Sequence, residues 1–171
     1  FYCVFYGLPL WFEGTRGLSP AESGALMIPV FGVGVLSTMA ATAAGKKLRP
    51  RWLLLIGGAG FLLAGTVLAL TWTPGAPLWL LAAVGALLGI PNGFNNVGNQ
   101  SLLHDVAPAG ENGVASGVYR TAQYVGAALS VVVVDAVLAV PGGGAPALGA
   151  SIAAAGLVLA AVNAVGAVRR T

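Results

Sequence analysis

Charge is the scarcest feature of this 171-residue chain, which has no Asp, Glu, Lys, Arg or His between Trp52 and Leu103. Charged residues make up 8% of the sequence, hydrophobic residues make up 57%, and the mean hydropathy is +0.88. A soluble domain of this length needs a charged surface to stay in solution. The composition therefore excludes an ordinary soluble domain and predicts a membrane protein.

Cysteine and histidine each occur once, as Cys3 and His104. A single cysteine excludes a disulfide within the chain and any cysteine metal cluster. His104 stands alone in a predicted loop, without the neighbours that a metal site or a catalytic relay needs. We therefore expect no catalytic residue, no metal and no cofactor in this chain.

Two other classes of membrane protein lack their chemistry here. An intramembrane serine protease needs a serine close to a histidine base, but Ser151 and His104 are predicted on opposite sides of the membrane. A channel with two Asn-Pro-Ala half-helices is disfavoured because Pro91-Asn92 has the reverse order and occurs once. The basic residues flank apolar runs without an aromatic-rich soluble face, so we expect no nucleic-acid partner.

Long apolar runs are abundant. Roughly 20 apolar residues, at ~1.5 Å of helical rise each, cross ~30 Å of hydrocarbon. Five runs reach about that length and a shorter one precedes them, approximately at residues 1–12 (partial), 24–45, 52–70, 78–103, 113–134 and 148–168. The first run begins abruptly in apolar sequence without Met, so we interpret it as a truncated helix and the chain as a fragment. The predicted fold class is an all-α polytopic membrane helix bundle of about six helices.

A capping box predicts where the first complete helix starts. Ser19 is followed three residues later by Glu22, with Pro20 suited to the first helical turn.

Basic residues set the predicted orientation, because Lys and Arg are retained on the cytoplasmic side during insertion. One set of loops carries only Arg16, whereas the other carries Lys46, Lys47, Arg49, Arg51, Arg169 and Arg170. The basic loop of residues 46–51 and the C-terminus are therefore predicted to be cytoplasmic. Contact of this loop with anionic lipid headgroups explains it as well as a specific gating role does.

An amide stripe crosses the third complete run. Its members share one helical face at positions i, i+3, i+4 and i+7, and we call Asn92, Asn95, Asn96 and Asn99 the asparagine stripe. Amides within a bilayer must face protein or water. Two interpretations stay open: the amides bond one helix to another, or they line a polar pathway.

Proline and glycine accompany the stripe. Pro91 removes one backbone hydrogen bond and should bend or loosen the helix. The row Gly85, Gly89 and Gly93 places a small residue at every fourth position, which predicts close approach by a neighbouring helix.

The fourth complete run carries a second polar face, formed at helical spacing by Ser116, Arg120, Gln123, Tyr124 and Ala127. Arg120 lies ~10 Å inside the predicted cytoplasmic end of its span. We hypothesise that it meets Asn95, Asn96 or Asn99 at a similar depth. The alternative is that the long side chain extends to the lipid headgroups.

Acidic residues are predicted only near the ends of the spans. Proton-coupled transport generally needs a titratable carboxylate or histidine within the membrane. If this protein couples to protons, the coupling group is expected outside this chain.

Two segments resemble the major facilitator superfamily of transporters. Residues 6–30, YGLPLWFEGTRGLSPAESGALMIPV, resemble the junction of the seventh and eighth helices, especially in the drug:proton antiporter branch. Residues 98–130 resemble the junction of the tenth and eleventh helices in bacterial members, where a loop of the type AP-x-x-x-x-G-x-A-S-G leads into an Arg-Thr helix. One departure is that the basic loop keeps Pro50 and Arg51 but lacks the acid normally present in the family's signature.

The resemblance implies the C-terminal half of a major facilitator fold with twelve or fourteen helices, in the bacterial inner membrane. Its partners would be the missing N-terminal half, the lipid bilayer and a small-molecule substrate bound between the halves. The implied activity is export of lipophilic or cationic molecules in exchange for protons. The asparagine stripe, Arg120, Gln123 and Tyr124 are then candidate pathway or gate residues. The alternatives are a non-transporting truncated module or assembly partner, and a metabolite uptake transporter.

Overall fold

The computed structural model describes residues 2–108, 110–139 and 144–168, with side chains for all of these except 145 and 164–168. The described residues form helices and short connections, without a strand. The helices are α1 Tyr2–Arg16, α2 Pro20–Gly45, α3 Pro50–Thr71, α4 Leu78–Leu87, α5 Gly89–Val106, α6 Asn112–Leu138 and α7 Gly144–Val168. Five helical stretches are long and apolar enough to cross a membrane, with α4 and α5 together forming one of them. The predicted all-α membrane helix bundle is confirmed.

The capping box is present at the start of α2. The backbone N–H of Glu22 donates to the hydroxyl of Ser19, and the backbone N–H of Ser19 donates to the Glu22 carboxylate at 2.9 Å. Pro20 occupies the first helical turn. The helix therefore begins at Pro20 rather than at Gly24, where the apolar run begins.

α1 continues past Phe12, the predicted end of the truncated first helix, to Arg16. It ends at Gly17, whose left-handed backbone has a φ of 64° and whose N–H donates to the carbonyl of Glu13 at 3.2 Å. This is a glycine cap that few other residues adopt without strain. Phe1, where the predicted run starts, lies outside the described residues.

The third complete run, predicted at residues 78–103, is interrupted at Leu88, between α4 and α5. Pro91 has no N–H, so the carbonyl of Leu87 loses its helical donor. In addition, the N–H of Leu88 donates at 3.0 Å to the carbonyl of Gly85, which is three residues back rather than the four of a regular α-helix. The predicted loosening of the helix near Pro91 is confirmed.

α3 packs along α7 through small residues. A Cβ added at Gly65 of α3 would lie 2.5 Å from the backbone nitrogen of Ala153, and one added at Gly149 of α7 would lie 2.5 Å from that of Ala69. Such distances are too short for a Cβ, so the two backbones meet only because these positions are glycines.

Aromatic rings fill the core where the ends of α1 and α3 meet. Trp11 and Trp72 stack with ring centroids 5.2 Å apart, and the ring of Phe12 lies 5.2 Å from Trp72. All three side chains are buried. Offset aromatic contacts of this kind stabilise a core beyond the area that they bury.

α6 is the least covered of the long helices. Its buried residues are Ser130 and Val134, whereas Val118, Leu129 and Val132 are each at least 60% exposed. Apolar side chains exposed along a spanning helix face lipid or another part of the protein.

The C-terminal basic pair used in the predicted orientation, Arg169 and Arg170, lies outside the described residues.

Candidate functional site

α5 lies between α2 and α3 and contacts α2 at glycines. A Cβ added at Gly93 would lie 2.5 Å from the hydroxyl oxygen of Ser37, and one added at Gly89 would lie 2.7 Å from the backbone nitrogen of Gly34. A side chain at either position would push the two helices apart. The predicted close approach along the row of Gly85, Gly89 and Gly93 is confirmed, with α2 as the neighbouring helix.

The opposite side of α5 contacts α3. A Cβ added at Gly60 of α3 would lie 2.9 Å from the Cβ of Pro91, and one added at Gly57 would lie 3.0 Å from the backbone nitrogen of Asn95. With about 100° of rotation per residue, the asparagine stripe falls in the sector between the α2 contacts and the α3 contacts. The stripe therefore lies along one open edge of the group of three packed helices, α2, α5 and α3.

The asparagine stripe is accessible from that edge. Asn92, Asn95 and Asn99 are half-buried, and Asn96 is exposed. Its neighbour Gln100 is also exposed. The stripe combines partial burial with access, which is the arrangement expected of residues that line a cavity or groove.

The amides of the stripe make no hydrogen bond within the described part of the chain. The side-chain oxygen of Asn95 is buried without a partner. A buried amide oxygen without a hydrogen bond lowers the stability of the fold by about 1–3 kcal/mol, so an asparagine at this position needs an explanation other than stability. Within these ranges the structure gives no support to the interpretation that the amides bond one helix to another.

Arg120 does not meet the stripe. Its side chain is exposed on α6 and makes no hydrogen bond to another described residue. α6 lies mainly against α1 and only touches α5. The hypothesised pairing of Arg120 with Asn95, Asn96 or Asn99 is therefore absent from the described structure, because the two helices that follow one another in sequence are not the two that pack together.

The other candidates on α6 differ in exposure and in hydrogen bonding. The side-chain nitrogen of Gln123 donates to the hydroxyl of Tyr119 at 3.2 Å, one helical turn away. Tyr124 is 64% exposed. Neither side chain forms a hydrogen bond with the asparagine stripe, and a role of these residues in a pathway stays a prediction.

The basic loop connects α2 to α3 at the end of the bundle that is opposite the aromatic core. Lys46, Lys47 and Arg49 are exposed, and Arg51 is half-buried. The loop is held close to α5, since a Cβ added at Gly45 would lie 4.0 Å from Val97. The four cations and the stripe thus lie on the same group of three packed helices, α2, α5 and α3.

Ser37 suits close helix packing by its small size, but its hydrogen bond was not predicted from the sequence. Its hydroxyl donates to the backbone carbonyl of Ile90, next to Pro91. The signal was present, because Gly34, Ser37 and Ala41 form a row of small residues on α2, and a serine in such a row can reach a neighbouring backbone.

The chain is an integral, multi-pass helical membrane protein that carries a row of unpaired amides inside one span. A family model places it more narrowly: the Major Facilitator Superfamily model matches residues 1–131. The chain belongs to this family.

Two curated relatives agree with this assignment. The chain is 30% identical over 135 residues to the uncharacterized MFS-type transporter YwoD of Bacillus subtilis (strain 168), in an alignment that covers 78% of the chain and 29% of YwoD. It is 27% identical over 137 residues to a tetracycline resistance determinant of Streptomyces rimosus, covering 77% of the chain and 38% of that protein. The alignments therefore span well under half the length of these relatives. No solved structure matches the chain.

Proposed function

We propose that this chain is the C-terminal six-helix half of a secondary transporter of the drug:proton antiporter branch. The whole protein would export lipophilic or cationic small molecules in exchange for protons, with the basic loop and the C-terminus in the cytoplasm. Membership in the Major Facilitator Superfamily supports a transporter. The relative named as a tetracycline resistance determinant supports export of a drug-like molecule.

The observation that carries the proposal is the set of unpaired amides on α5. Asparagine donates and accepts hydrogen bonds without carrying charge, so a row of four can pass a solute along by exchanging partners. A packing role would instead have left the amides bonded to α2 or α3. We therefore assign the asparagine stripe to the wall of the transport pathway.

The uncovered side of α6 completes this proposal. Arg120 and Tyr124 are exposed there, beside apolar residues that no other described helix covers. In the proposed transporter this side faces the N-terminal half across the pathway, and Arg120, Gln123 and Tyr124 act as gate residues.

The proposal assigns proton coupling to the other half. In the described spans the acids lie near helix ends, at Glu13, Glu22, Asp105 and Asp135. None of these positions is near the middle of a long span, where a coupling carboxylate works.

Transport by everted vesicles containing the intact protein tests the assignment. With tetracycline and a lipophilic cation as probes, Asn95→Leu should lower the proton-driven uptake rate roughly five- to tenfold, because a lost hydrogen bond is worth about 1 kcal/mol. Leucine has nearly the same shape as asparagine, so the substitution removes the amide and keeps the contact with α3.

Asn163→Leu is the matched control. The side-chain nitrogen of Asn163 donates to the carbonyl of Leu159 on its own helix at 2.7 Å. Its replacement should leave the uptake rate unchanged. Equal uptake rates for the wild type and the Asn95 variant would exclude the stripe from the pathway. An uptake rate that does not change when the proton gradient is removed would exclude proton antiport.

A further inference from the structure

The connection between α2 and α3 concentrates positive charge without pairing it. We call Lys46, Lys47, Arg49 and Arg51 the basic corner. No member forms an ion pair with another described residue. Four cations within six residues repel one another, and this arrangement is stabilised when an anion binds among them.

Arg51 is the most constrained member of the basic corner. Its side-chain Nε is buried without a hydrogen-bond partner. The centre of its guanidinium lies 5.8 Å from the centroid of the Trp52 ring, a cation–π distance. The planar group is therefore held in place, and because Nε is buried, a ligand reaches it through the two terminal nitrogens, which can bind a phosphate with two hydrogen bonds.

The first turn of α3 adds a backbone donor at the same place. Arg49 is the residue that precedes the helix and makes no side-chain capping bond, and Pro50 opens the helix. The first turn contains no acidic residue. Pro50 has no N–H, and the N–H of Trp52 donates to the carbonyl of Arg49 at 2.9 Å, so the free donor in this turn is the N–H of Arg51. This donor and the positive end of the helix dipole favour an anion at this position.

The basic corner is also placed at the membrane surface. α2 and α3 are both candidate spans, so their short connection emerges at one face of the bilayer. Trp52, which is 50% exposed, directly follows Arg51. Tryptophan at this level marks the boundary between headgroups and acyl chains.

We propose that the basic corner binds the phosphate of an anionic phospholipid. The phosphate oxygens accept from the guanidinium of Arg51 and from the backbone N–H of Arg51 in the first turn of α3. Lys46, Lys47 and Arg49 supply the surrounding positive charge, and Trp52 packs against the lipid below its headgroup. The proposal does not depend on transport, because it concerns the lipid that surrounds the protein and not the solute that crosses it.

Fluorescence quenching by brominated lipid tests this site in the intact protein reconstituted into vesicles. The signal of Trp52 is the difference between the wild type and Trp52→Phe. Brominated phosphatidylglycerol should quench this signal several-fold more strongly than brominated phosphatidylcholine at the same mole fraction. Native mass spectrometry, as a second readout, should show retained phosphatidylglycerol adducts.

Three variants separate a built site from general attraction. Lys46→Gln should weaken the phosphatidylglycerol preference about fivefold, the effect of roughly 1 kcal/mol for each basic residue. Arg51→Lys keeps the charge but removes the guanidinium, and it should weaken the preference at least as much. Arg16→Gln removes a cation at the opposite end of α2, where the guanidinium donates to the carbonyl of Pro74, and it should leave the phosphatidylglycerol preference unchanged.

Two results would overturn the proposal. If Arg51→Lys binds phosphatidylglycerol like the wild type, the basic corner attracts anions only diffusely. If millimolar inorganic phosphate removes the preference at constant ionic strength, the ligand is a soluble phosphate and not a lipid. Variants are compared only when their thermal unfolding in detergent matches that of the wild type, which separates loss of the site from loss of the fold.

Discussion

Glycine at particular positions determines how closely α5 approaches its neighbours. The Gly93 backbone meets that of α2, and Gly57 of α3 meets the backbone of Asn95. These contacts place the asparagine stripe between two helices and leave its amides unpaired. Not every glycine lies at a helix contact: a Cβ added at Gly32 of α2 would meet nothing within 4 Å.

Gly93→Ala tests this distinction at a single residue. The added methyl group would collide with Ser37 and Thr38 of α2, so we expect the protein to lose about 1–3 kcal/mol of stability. The measurement is thermal unfolding in detergent. Gly32→Ala adds the same methyl group to open space and should be neutral. A pair of variants with equal transition temperatures would show that the contact with α2 is not tight.

At the scale of elements, the interruption between α4 and α5 depends on more than one proline. Pro9 lies within α1 and Pro29 within α2, and both helices continue past them. At Pro91, Gly89 also precedes the proline and contacts α2. Proline removes a hydrogen bond at all three places, and Gly7 precedes Pro9 just as Gly89 precedes Pro91. The difference is that a Cβ added at Gly7 would meet the side chains of Leu148 and Val134, whereas one added at Gly89 would meet the backbone of α2.

Pro91→Ala should restore the missing donor and let α4 and α5 join as one helix. The amide of residue 91 can then bond to the carbonyl of Leu87, and hydrogen exchange near Leu88 should slow. Exchange measured by mass spectrometry on the intact protein checks this expectation. Pro29→Ala is the control, since α2 is already continuous and its exchange should change less. Unchanged exchange near Leu88 in the Pro91 variant would assign the interruption to the tertiary contact alone.

For the whole molecule, the distribution of charge predicts how the chain sits in the membrane. The basic corner lies at one end of α2, and the connection between α3 and α4 lies at the other end of the bundle. Because basic loops are retained on the cytoplasmic side, these two connections should lie on opposite sides of the bilayer.

Cysteine labelling measures that orientation. In a version of the intact protein with Cys3→Ser and no other reactive thiol, Gly75→Cys should react with a membrane-impermeant maleimide in whole cells. Lys47→Cys should react only in everted vesicles. Both positions are exposed, so a difference in labelling reports the side of the membrane and not burial. The opposite pattern would invert the proposed topology.

Much of the fold could be predicted from sequence, because spanning helices depend on local composition. The apolar runs, the capping box at Ser19 and the row of glycines that meets α2 are all encoded within one or two helical turns. The end of α1 was missed by one turn, since Gly14 allows the helix to continue and Gly17 ends it. The candidate site was predicted less completely. Helical spacing identified the asparagine stripe, but the hydrogen bond of Ser37 to Ile90 and the packing of α6 on α1 involve residues far apart in the chain.

The sequence by itself determined that the chain lies in a lipid membrane, how many apolar spans it has and which polar residues share a helical face. Each of these properties follows from residues that are close together along the chain. Only the tertiary structure decided that α7 packs on α3, that α5 is held between α2 and α3, and that α6 packs mainly on α1, so that Arg120 makes no hydrogen bond to the asparagines. These contacts depend on which small residues meet across the bundle. The sequence of one helix does not specify which other helix it will contact.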